Sequence, residues 1–558
     1  MMDNQEIARI LDEIADILDI LGENPFKARA YRQVANHIYR METDLHEVSK
    51  HHGLEGIPGA GKAIRAKLQE LLETGDLKYY RELQEKVPPG VLEMLAIPGL
   101  GPKTVGAIYA QTGIDTLEKL YRAAQEKRIR ELPGMGAKTE YNIKKGIEML
   151  RSTRDSFNLG TALPLALEFK NFLSGFDCVQ IVEITGSVRR RKPVVGDIDI
   201  LVGSAEEEAV REKVRRFRRV QEITEEKPGH VKGRLRPGIV FEVLIVPFGE
   251  FWRALVISTG SKTHREQIQP ALDTFDCSSA HSEEDVYRLL SMQYIPPELR
   301  EGRGEIELAR NFALPHLVTL EDIKGDLHIH TDWSDGAHSL REMVAAAAKL
   351  GYSYMAVTEH SRSLAVSRGL DVERLLAQGK LVEELNREND GFKILTGIEI
   401  DILKDGSLDL PNEVLANLDV VIASIHSHFR LSRAEQTERV LKAVENPHVD
   451  IIGHLTGRLL GRRPGYEIDI EAVLKAAAQT RTALEINSYP DRLDIDEETA
   501  FKAKAKGIKI AISSDAHHRA DLGLIKYGVI NARRGWLSKE DVLNTLETEE
   551  LMAYLRNK

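Results

Sequence analysis

Seven short apolar segments, separated by stretches with helical periodicity, follow one another from Lys324 to near the end of the chain. The segments are GDLHIHT, SYMAVTEH, KILTGIEID, DVVIASIHS, VDIIGHLTG, ALEINSY and IKIAISSDAH. Strands that alternate with helices pair in parallel within one sheet. The pattern therefore predicts a parallel (β/α)7 barrel over residues 324–558, with its chemistry at the carboxyl ends of the strands.

Nine residues of metal-ligand type lie at those carboxyl ends or in the loops that follow. They are His328, His330, Asp335, His360, Glu399, His426, His454, Asp515 and His517. The chain has only two cysteines, Cys178 and Cys277, so a disulfide framework is excluded and the setting is predicted to be reducing. Imidazole and carboxylate without thiolate is a ligand set that suits Mn, Zn or Fe.

Two interpretations of these nine residues are open. A single histidine at a strand end is often only hydrogen-bonded, and this applies to each residue taken alone. Nine together exceed the needs of one ion, and shared carboxylates allow two or three ions a few ångström apart. Such a cluster activates water and stabilises the leaving oxygen in phosphoester hydrolysis. We therefore predict a metal centre with up to three ions.

The motifs HIHTDWSDG, TEH, GIEID, SIHS, GH and SDAH resemble those of the PHP (polymerase and histidinol phosphatase) family of metal-dependent phosphoesterases. The resemblance implies three metals, with Mn the expected ion. Their ligands would be His328, His330, Glu399 and Asp515 for the first, Glu399, His426 and His454 for the second, and Asp335, His360 and His517 for the third. Arg492, in EINSYPDRLD, is a candidate for holding the substrate phosphate.

Residues 156–300 mix short β-rich runs with helices, which predicts an α+β domain. A Gly186-Ser187 turn precedes Asp197 and Asp199, which lie two apart and share one strand face. Two such carboxylates can hold two Mg or Mn ions for in-line attack on an α-phosphate. The turn and the nearby Arg190 would bind the outgoing phosphates.

This stretch resembles the nucleotidyltransferase palm of the family X DNA polymerases. The resemblance aligns Glu242 with the third catalytic carboxylate, which is an Asp in the family, and places Gly260 of Thr259-Gly260-Ser261 in the nucleotide site. Further departures are Ile257 and Ser258 in place of a Tyr-Phe pair, and Arg265 in place of an Asn. They put nucleotide selection in doubt, and a carboxylate displaced by about 1 Å can cost on the order of 100-fold in rate.

Amphipathic helical patterns fill residues 1 to about 150, and a short element recurs three times within them at intervals of about 35 to 40 residues. Its glycine pairs are Gly59 and Gly61, Gly99 and Gly101, and Gly134 and Gly136. The elements resemble helix-hairpin-helix motifs, in which glycines let a helix N-terminus approach a DNA phosphate. A turn between packed helices would explain one copy better than three.

Lys67 falls where animal family X members carry the Schiff-base lysine of deoxyribose-phosphate lyase, and Lys27, Tyr31 and Arg32 occupy the region that would meet a 5′-phosphate. A lysine on an amphipathic helix is more commonly only solvated, so both interpretations stay open.

The predicted architecture is multidomain. It comprises an all-α helix-hairpin-helix N-terminal region, an α+β nucleotidyltransferase palm and a C-terminal (β/α)7 PHP barrel. The expected parts are a helical DNA-binding domain over 1–86, a fingers-like domain over 87–155, palm and thumb over 156–300, a Pro/Gly-rich linker over 301–323 and the PHP domain over 324–558. The formal charge of −11 leaves local basic faces open, and no signal or membrane segment is predicted.

Three functions follow from these sites. The first is a monomeric, cytoplasmic DNA repair enzyme that joins DNA polymerase activity on gapped DNA and deoxynucleoside triphosphates to 3′–5′ exonuclease and abasic-site processing. The second is a DNA-binding PHP nuclease whose polymerase site is weakened by Glu242, Ile257, Ser258 and Arg265. The third is a small-molecule phosphatase, which would have no use for three DNA-binding hairpins.

Overall fold

The computed structural model describes residues 4–39, 41, 43–97, 99–153, 156–364, 367–389 and 391–556. The chain divides into two compact units, Met1–Arg154 and Asp155–Lys558. The predicted boundary at residue 155 and Pro98 of the second hairpin lie outside the described residues. Among those that are described, no helix is long and apolar enough to cross a membrane.

The described part of the first unit is helical, as predicted. Its helices, α1 to α9 in chain order, are Asn4–Ile20, Pro25–Tyr39, Leu45–His52, Lys62–Thr74, Lys78–Gln84, Pro89–Glu93, Pro102–Thr112, Leu117–Gln125 and Ala137–Thr153. One hydrophobic core runs through the unit from Ile7 to Ile147. At Gly106 of α7 an added Cβ would lie 2.4 Å from the carbonyl oxygen of Ile20, so this glycine allows α7 to pack closely on α1. The two predicted helical regions therefore share a core.

The second unit begins with the palm. Its strands β1 to β7 are Phe157–Asn158, Ile181–Ile184, Val194–Val195, Asp197–Gly203, Val220–Lys227, His230–Leu235 and Ile239–Val246. Its helices α10 to α12 are Leu159–Ser174, Gly186–Arg189 and Glu207–Arg216. Five strands form one mixed sheet in the order β2-β4-β7-β6-β5, with β4 and β7 parallel.

Four helices follow the palm: α13 Phe251–Thr259, α14 Lys262–Leu272, α15 Glu283–Leu289 and α16 Glu305–Arg310. The last of these lies within residues 301–323, which the Pro/Gly-rich composition predicts to be a linker. Instead Ile306 and Ala309 pack into the core of this helical region. Glu305 is buried against His264, with Oε1 2.7 Å from Nδ1. The charges that suggest a solvated linker are thus paired inside the fold, which composition alone does not reveal.

The C-terminal barrel is confirmed, and each of the seven predicted segments contains an observed strand. Strands β8 to β14 are Gly325–Asp326, Tyr354–Val357, Lys393–Asp401, Val420–Ser424, Ile451–Ile452, Ala483–Asn487 and Ile510–Ser513. Helices α17 to α24 are Leu340–Lys349, Val372–Glu388, Asn412–Leu415, Arg433–Val444, Ile470–Thr480, Glu497–Ala505, Ile525–Arg534 and Thr548–Arg556. All strand pairs are parallel, and a bridge between Ile329 and Ala516 nearly closes the barrel.

A buried charge network joins the barrel to the palm. Arg534, at the end of α23, donates to the carbonyl of Arg190 at 2.6 Å and pairs with Glu301 at 3.1 Å and Glu497 at 2.9 Å. Its side chain is only 2% exposed. A guanidinium without water needs partners for its donors. Because these partners come from three parts of the chain, palm and barrel are fixed to each other.

We expect Arg534→Ala to destabilise this unit by about 3–5 kcal/mol, since it leaves Glu497 poorly solvated without its arginine and removes one of the two arginines that pair with Glu301. Differential scanning calorimetry of the full chain should show the transition at a lower temperature. Arg341→Ala, which removes an exposed pair with Glu388, is the matched control and should change stability by no more than about 1 kcal/mol. Equal transition temperatures for the two variants would contradict this account of the interface.

Candidate active sites

All nine predicted metal-ligand residues converge at the carboxyl end of the barrel. Ligand atoms of three sets lie within 4.8 Å of one another: His330, Asp335, His360 and His517; His328, His330 and Asp515; and His360, Glu399 and His426. His454 joins them through Nε2, which lies 3.0 Å from Glu399 Oε1. The three sets share residues, so the structure offers a connected cluster with room for more than one ion.

Glu399 is the centre of this cluster. Its carboxylate lies within 3.6 Å of nitrogens of five imidazoles, those of His328, His330, His360, His426 and His454. Oε1 faces His426 at 3.2 Å and His454 at 3.0 Å, whereas Oε2 faces His360 at 2.7 Å. The two oxygens therefore face different imidazoles, which is the geometry a bridging carboxylate requires.

Three residues behind the ligands hold their orientation, and none of them is among the nine predicted from the sequence. Glu485 Oε1 lies 2.6 Å from His328 Nδ1, and its Oε2 accepts the backbone N–H of His454 at 2.7 Å. Asp401 Oδ1 lies 3.0 Å from His426 Nδ1. Asn487 donates to Asp515 Oδ2 at 2.9 Å. Such contacts fix the tautomer and aim of a metal-binding side chain. The available signal was a polar residue within an apolar strand, as in ALEIN and GIEID.

The donor set fits divalent cations. Within the described residues of this cluster, several buried ring nitrogens and one carboxylate oxygen form no hydrogen bond. These atoms are Nε2 of His328, both ring nitrogens of His330, Nδ1 of His360 and Oε2 of Glu399. Buried polar atoms are otherwise almost always paired. Imidazole nitrogens and carboxylate oxygens aimed at one another without sulfur are the ligands of Mn, Fe or Zn.

Imidazoles and carboxylates of opposite charge are buried together in this cluster. Burial alone would lower the pKa of His328, but Glu485, Glu399 and Asp515 outweigh it and raise that pKa well above its usual value. Burial would raise the pKa of Glu399, but the surrounding imidazoles, His426 and His328 first, hold it well below its usual range. Removing one member therefore leaves the others uncompensated.

Two of the ligands lie on unusual backbone. Asp515 has φ +54° and His454 has φ +24°, both in the region that favours glycine. Such conformations cost about 1–3 kcal/mol each and persist only where the surroundings impose them. Here the parallel strands and the contacts of Asn487 and Glu485 hold them. The fold therefore gives up some stability to aim these two groups.

The palm brings three acidic residues together. Asp197 and Asp199 lie on β4, and Glu242 stands opposite Asp199 on the neighbouring strand β7. Burial, and then the nearby Asp197 and Glu242, raise the pKa of Asp199 to about 7. A Cβ at Gly186, where φ is +60°, would lie 1.8 Å from Asp199 Oδ2, so only glycine fits there. Carboxylates held this close need cations to be ionised together.

Glu242 has partners that the sequence did not suggest. Its carboxylate lies 2.5 Å from Lys232 Nζ and 3.5 Å from His230 Nε2, both on the adjacent strand β6. Burial would raise the pKa of Glu242, but the bond from Lys232 lowers it. The third carboxylate is thus present, ionised and held by a lysine.

Of the predicted phosphate-binding groups, the Ser187 side chain has no hydrogen-bond partner among the described residues, whereas the Arg190 side chain is already paired. The Ser187 hydroxyl is buried and has no partner within the described ranges. In contrast, Arg190 donates to the carbonyl of Thr259 at 2.8 Å and pairs with Glu301 at 3.1 Å, next to Gly260. The structure therefore gives Arg190 a bridging position between the palm and the following helices. Its role in nucleotide binding stays a prediction.

The three N-terminal hairpins have the same local structure. The first glycine of each pair has nearly the same left-handed φ, +78° at Gly59, +77° at Gly99 and +77° at Gly134. The residue after it donates to the carbonyl three positions back in every copy, at 3.1 Å for Ala60 and 3.0 Å for Leu100 and Met135. The recurring sequence therefore encodes one recurring turn.

The fold does not require glycine at the second position of each pair. Gly61 and Gly101 precede α4 and α7 with φ of −63° and −78°, which any residue adopts. No described atom lies within 4 Å of a Cβ built at Gly61, Gly101 or Gly136. A side chain would thus fit the protein alone. The Gly61 N–H donates to the Gly59 carbonyl at 3.1 Å, so the N–H groups open to an external anion are those of the first turn of the following helix.

The candidate lyase residue lies against an aromatic ring. Lys67 Nζ is 4.5 Å from the centre of the Tyr79 ring, which Lys27 also approaches at 5.3 Å. Tyr31 stacks on the same ring. Arg32 instead pairs with Asp16 at 2.6 Å and Asp19 at 3.1 Å, which reduces its value as a phosphate ligand. Lyase activity stays a prediction.

Comparison with known proteins identifies the family. The chain is 36% identical, over 574 residues that cover 100% of both chains, to a Bacillus subtilis protein named DNA polymerase/3′-5′ exonuclease PolX. The chain belongs to the PolX family. The family X and PHP resemblances predicted from the sequence are thereby confirmed.

Matches to the separate PolX domains agree with this assignment. The PHP domain family matches residues 326–489, a helix-hairpin-helix domain family matches 2–77, and a SAM-like helix-hairpin-helix tandem family matches 91–148. A probable phosphatase of Thermoanaerobacter sp. is 35% identical over 244 residues, 42% of this chain and 94% of its own. One from Clostridium acetobutylicum is 29% identical over 243 residues, again 42% and 94%. Their share of this chain equals that of the barrel region, residues 324–558.

We expect Glu485→Gln to weaken Mn²⁺ binding by about 10–100-fold, because it loosens His328 and His454 without removing a ligand. Equilibrium dialysis of the full chain with elemental analysis would measure this. Glu388→Gln, an exposed carboxylate of α18, is the control. Unchanged affinity in Glu485→Gln would show that the imidazoles do not depend on this carboxylate.

Proposed function

We propose that this PolX-family chain is a DNA repair enzyme with two active sites. The palm would extend a primer from deoxynucleoside triphosphates, and the barrel would remove nucleotides from DNA 3′ ends and process abasic sites. The observation that carries the proposal is the presence of both acidic sites in one chain that aligns over its full length with a DNA polymerase/3′-5′ exonuclease.

In the barrel, the nine convergent residues would hold Mn, Zn or Fe, with Mn preferred and up to three ions. Bound cations would supply an activated water and stabilise the leaving oxygen of a phosphodiester. Glu399 would bridge the sites, since its two oxygens face different imidazoles. Glu485 and Asp401 would keep His328 and His426 in the tautomer that presents Nε2 to the site.

In the palm, Asp197 and Asp199 would hold Mg or Mn, which would bring the triphosphate and the primer 3′-hydroxyl into line. The Gly186-Ser187 turn would bind the outgoing phosphates through its N–H groups and the unpartnered Ser187 hydroxyl. Lys232 would balance the charge of Glu242 beside the two aspartates. The pair between Lys232 and Glu242 is also the observation that favours a slow polymerase, because the third carboxylate already binds a lysine and is not free.

The domain limits of 1–86, 87–155, 156–300 and 324–558 are part of the proposal, with residues 301–323 packed against the helices that follow the palm. The glycine pairs of the three hairpins would bind DNA phosphates through backbone N–H groups, with no need for base contacts. A small-molecule phosphatase is disfavoured, since the phosphatase relatives correspond to 42% of the chain and the full-length relative is a polymerase and exonuclease.

We expect Asp197→Asn to reduce primer extension by more than about 100-fold while 3′-end degradation continues. Loss of a metal ligand should reduce activity more than loss of a residue that only orients a ligand, which typically costs about 10–100-fold. Asp515→Asn should have the converse effect. Each variant is thus the folding control for the other. Gapped DNA with a labelled 3′ end, assayed with Mg²⁺ and with Mn²⁺, reports both activities. If the unaltered chain extends with neither metal, the weakened-polymerase alternative is correct.

We expect the triple variant Gly61→Ala, Gly101→Ala, Gly136→Ala to fold normally but to bind DNA at least about tenfold more weakly, because methyl groups keep phosphates from the N–H groups. The dependence of log affinity on log salt should become shallower by about 0.9 for each phosphate that the variant no longer binds. Fluorescence anisotropy with duplex DNA measures both quantities. Gly379→Ala, an equally open position on α18, is the control. Affinity equal to that of the control would exclude the hairpins as the DNA-binding element.

A further inference from the structure

We propose that Lys232 occupies the place of a metal ion on Glu242 in the free palm and passes to Glu225 when a divalent cation binds there. The lysine thereby sets the metal concentration that the palm requires. The proposal rests on the polymerase function, because it concerns the cations of that reaction, and it adds an exchange of one side chain between two carboxylates.

A single row of side chains crosses the palm sheet. Asp199 of β4 lies opposite Glu242 of β7. Glu242 lies opposite Lys232 of β6, and Lys232 lies opposite Glu225 of β5. Register partners point to one face of a sheet, and neighbouring strands lie about 4.8 Å apart. Lys232 therefore stands between two carboxylates, and its side chain is long enough to reach either of them.

The row lies on the face of the sheet that the palm core leaves uncovered. Val231 and Phe241, which precede Lys232 and Glu242 in the chain, are fully buried in that core. Successive side chains of a strand point to opposite faces, so Lys232 and Glu242 point away from the core. Their side chains are 37% and 34% exposed. Ions from solution can therefore reach both groups.

Both oxygens of the Glu242 carboxylate already face a nitrogen. Lys232 Nζ lies 2.5 Å from Oε1, and His230 Nε2 lies 3.5 Å from Oε2. An Mg²⁺ ion coordinated by Oε1 would lie about 2.0–2.1 Å from that oxygen, where the ammonium now is. Two cations so close together also repel each other. The lysine and a metal ion therefore exclude each other at this oxygen.

The two aspartates of the palm have no such competitor. In the part of the chain that the structure describes, no lysine or arginine nitrogen lies within 4.0 Å of a carboxylate oxygen of Asp197 or Asp199. A first ion can bind these two residues directly. An ion that also needs Glu242 must first displace Lys232, so the lysine weakens the binding of that ion alone.

Glu225 offers the displaced ammonium a second partner. The hydrogen bond to Glu242 and its charge raise the pKa of Lys232 against the effect of burial, and Asp197 and Glu225 add to the rise. The ammonium is thus charged and already within the field of Glu225. Glu225 itself forms an exposed pair with Lys227. Exposed pairs of this kind contribute little and exchange readily, so Lys232 can leave Glu242 without losing a carboxylate partner.

An ordinary cross-strand ion pair would stabilise the sheet and have no further role. The two roles differ in their effect on metal affinity. Loss of a stabilising pair would loosen Glu242 and weaken metal binding, whereas loss of a competing cation strengthens it. The sign of the change therefore separates them.

The test measures Mn²⁺ binding to the full chain in the absence of DNA and nucleotide. Electron paramagnetic resonance reports free Mn²⁺, and the ions of the palm are those that a chain binds in excess of the same chain with Asp197→Asn. The test variants are Lys232→Met and Glu225→Gln. Their matched controls are Arg234→Met and Glu222→Gln, which remove the two members of the next row on the same two strands.

We expect Lys232→Met to lower the free Mn²⁺ concentration at half-saturation of the weaker palm ion at least about tenfold, because no ammonium then excludes or repels it. Glu225→Gln should raise that concentration by about threefold, since the displaced ammonium loses its second partner, and both controls should stay within about twofold of the unaltered chain. The Mg²⁺ concentration at half-maximal primer extension should shift in the same directions.

An Mn²⁺ affinity of Lys232→Met that equals that of its control, or is weaker, would overturn the proposal and leave an ordinary ion pair. An affinity of Glu225→Gln equal to that of its control would exclude the transfer to Glu225. Failure of the polymerase function has a separate signature. The unaltered chain would then extend no primer with either metal, and the binding measurements would still decide whether Lys232 competes with the palm ion.

Discussion

The buried carboxylate of Glu399, surrounded by five imidazoles, is the interaction on which the barrel depends. A charge in this position is tolerable only if opposite charges surround it. The imidazoles come from the ends of several different strands, so the pairing can form only when the parallel strands are in register. The cluster and the barrel therefore form together, and the left-handed backbone at Asp515 is a place where the fold gives up stability to form them.

The palm handles its acidic residues differently. Asp197, Asp199 and Glu242 repel one another, and the only nearby lysine or arginine that touches any of them at hydrogen-bond distance within the described residues is Lys232, on Glu242. The two aspartates remain open to added cations, which suits a site that binds its metals together with a nucleotide. The barrel, by contrast, is built with opposite charges already in place. This difference agrees with a resident cluster in one site and exchanging ions in the other.

Buried arginines make the two sites parts of one body. Arg534 reaches from the barrel to the carbonyl of Arg190, and Arg190 in turn contacts Thr259. Arg534 of the barrel thus supports the turn that begins at Gly186, through Arg190, which lies four positions after that glycine. A change in the PHP part of the chain can therefore affect the palm without touching its three acidic residues.

The barrel, its seven strands, the convergence of the nine residues of metal-ligand type and the three hairpins could all be predicted from the amino-acid sequence. They follow from local patterns: apolar runs alternating with helices, histidines in step with strand ends, and a repeated pair of glycines. The supporting partners could not be predicted in this way. Glu485 meets His328 across 157 positions and Arg534 meets Arg190 across 344, and no periodicity links residues so far apart. For the same reason the stretch 301–323 was wrongly predicted to be a linker, because the His264 side chain that pairs with Glu305 is distant in sequence. Local spacing fixes which side chains share a face, but which charge neutralises which depends on how the elements pack.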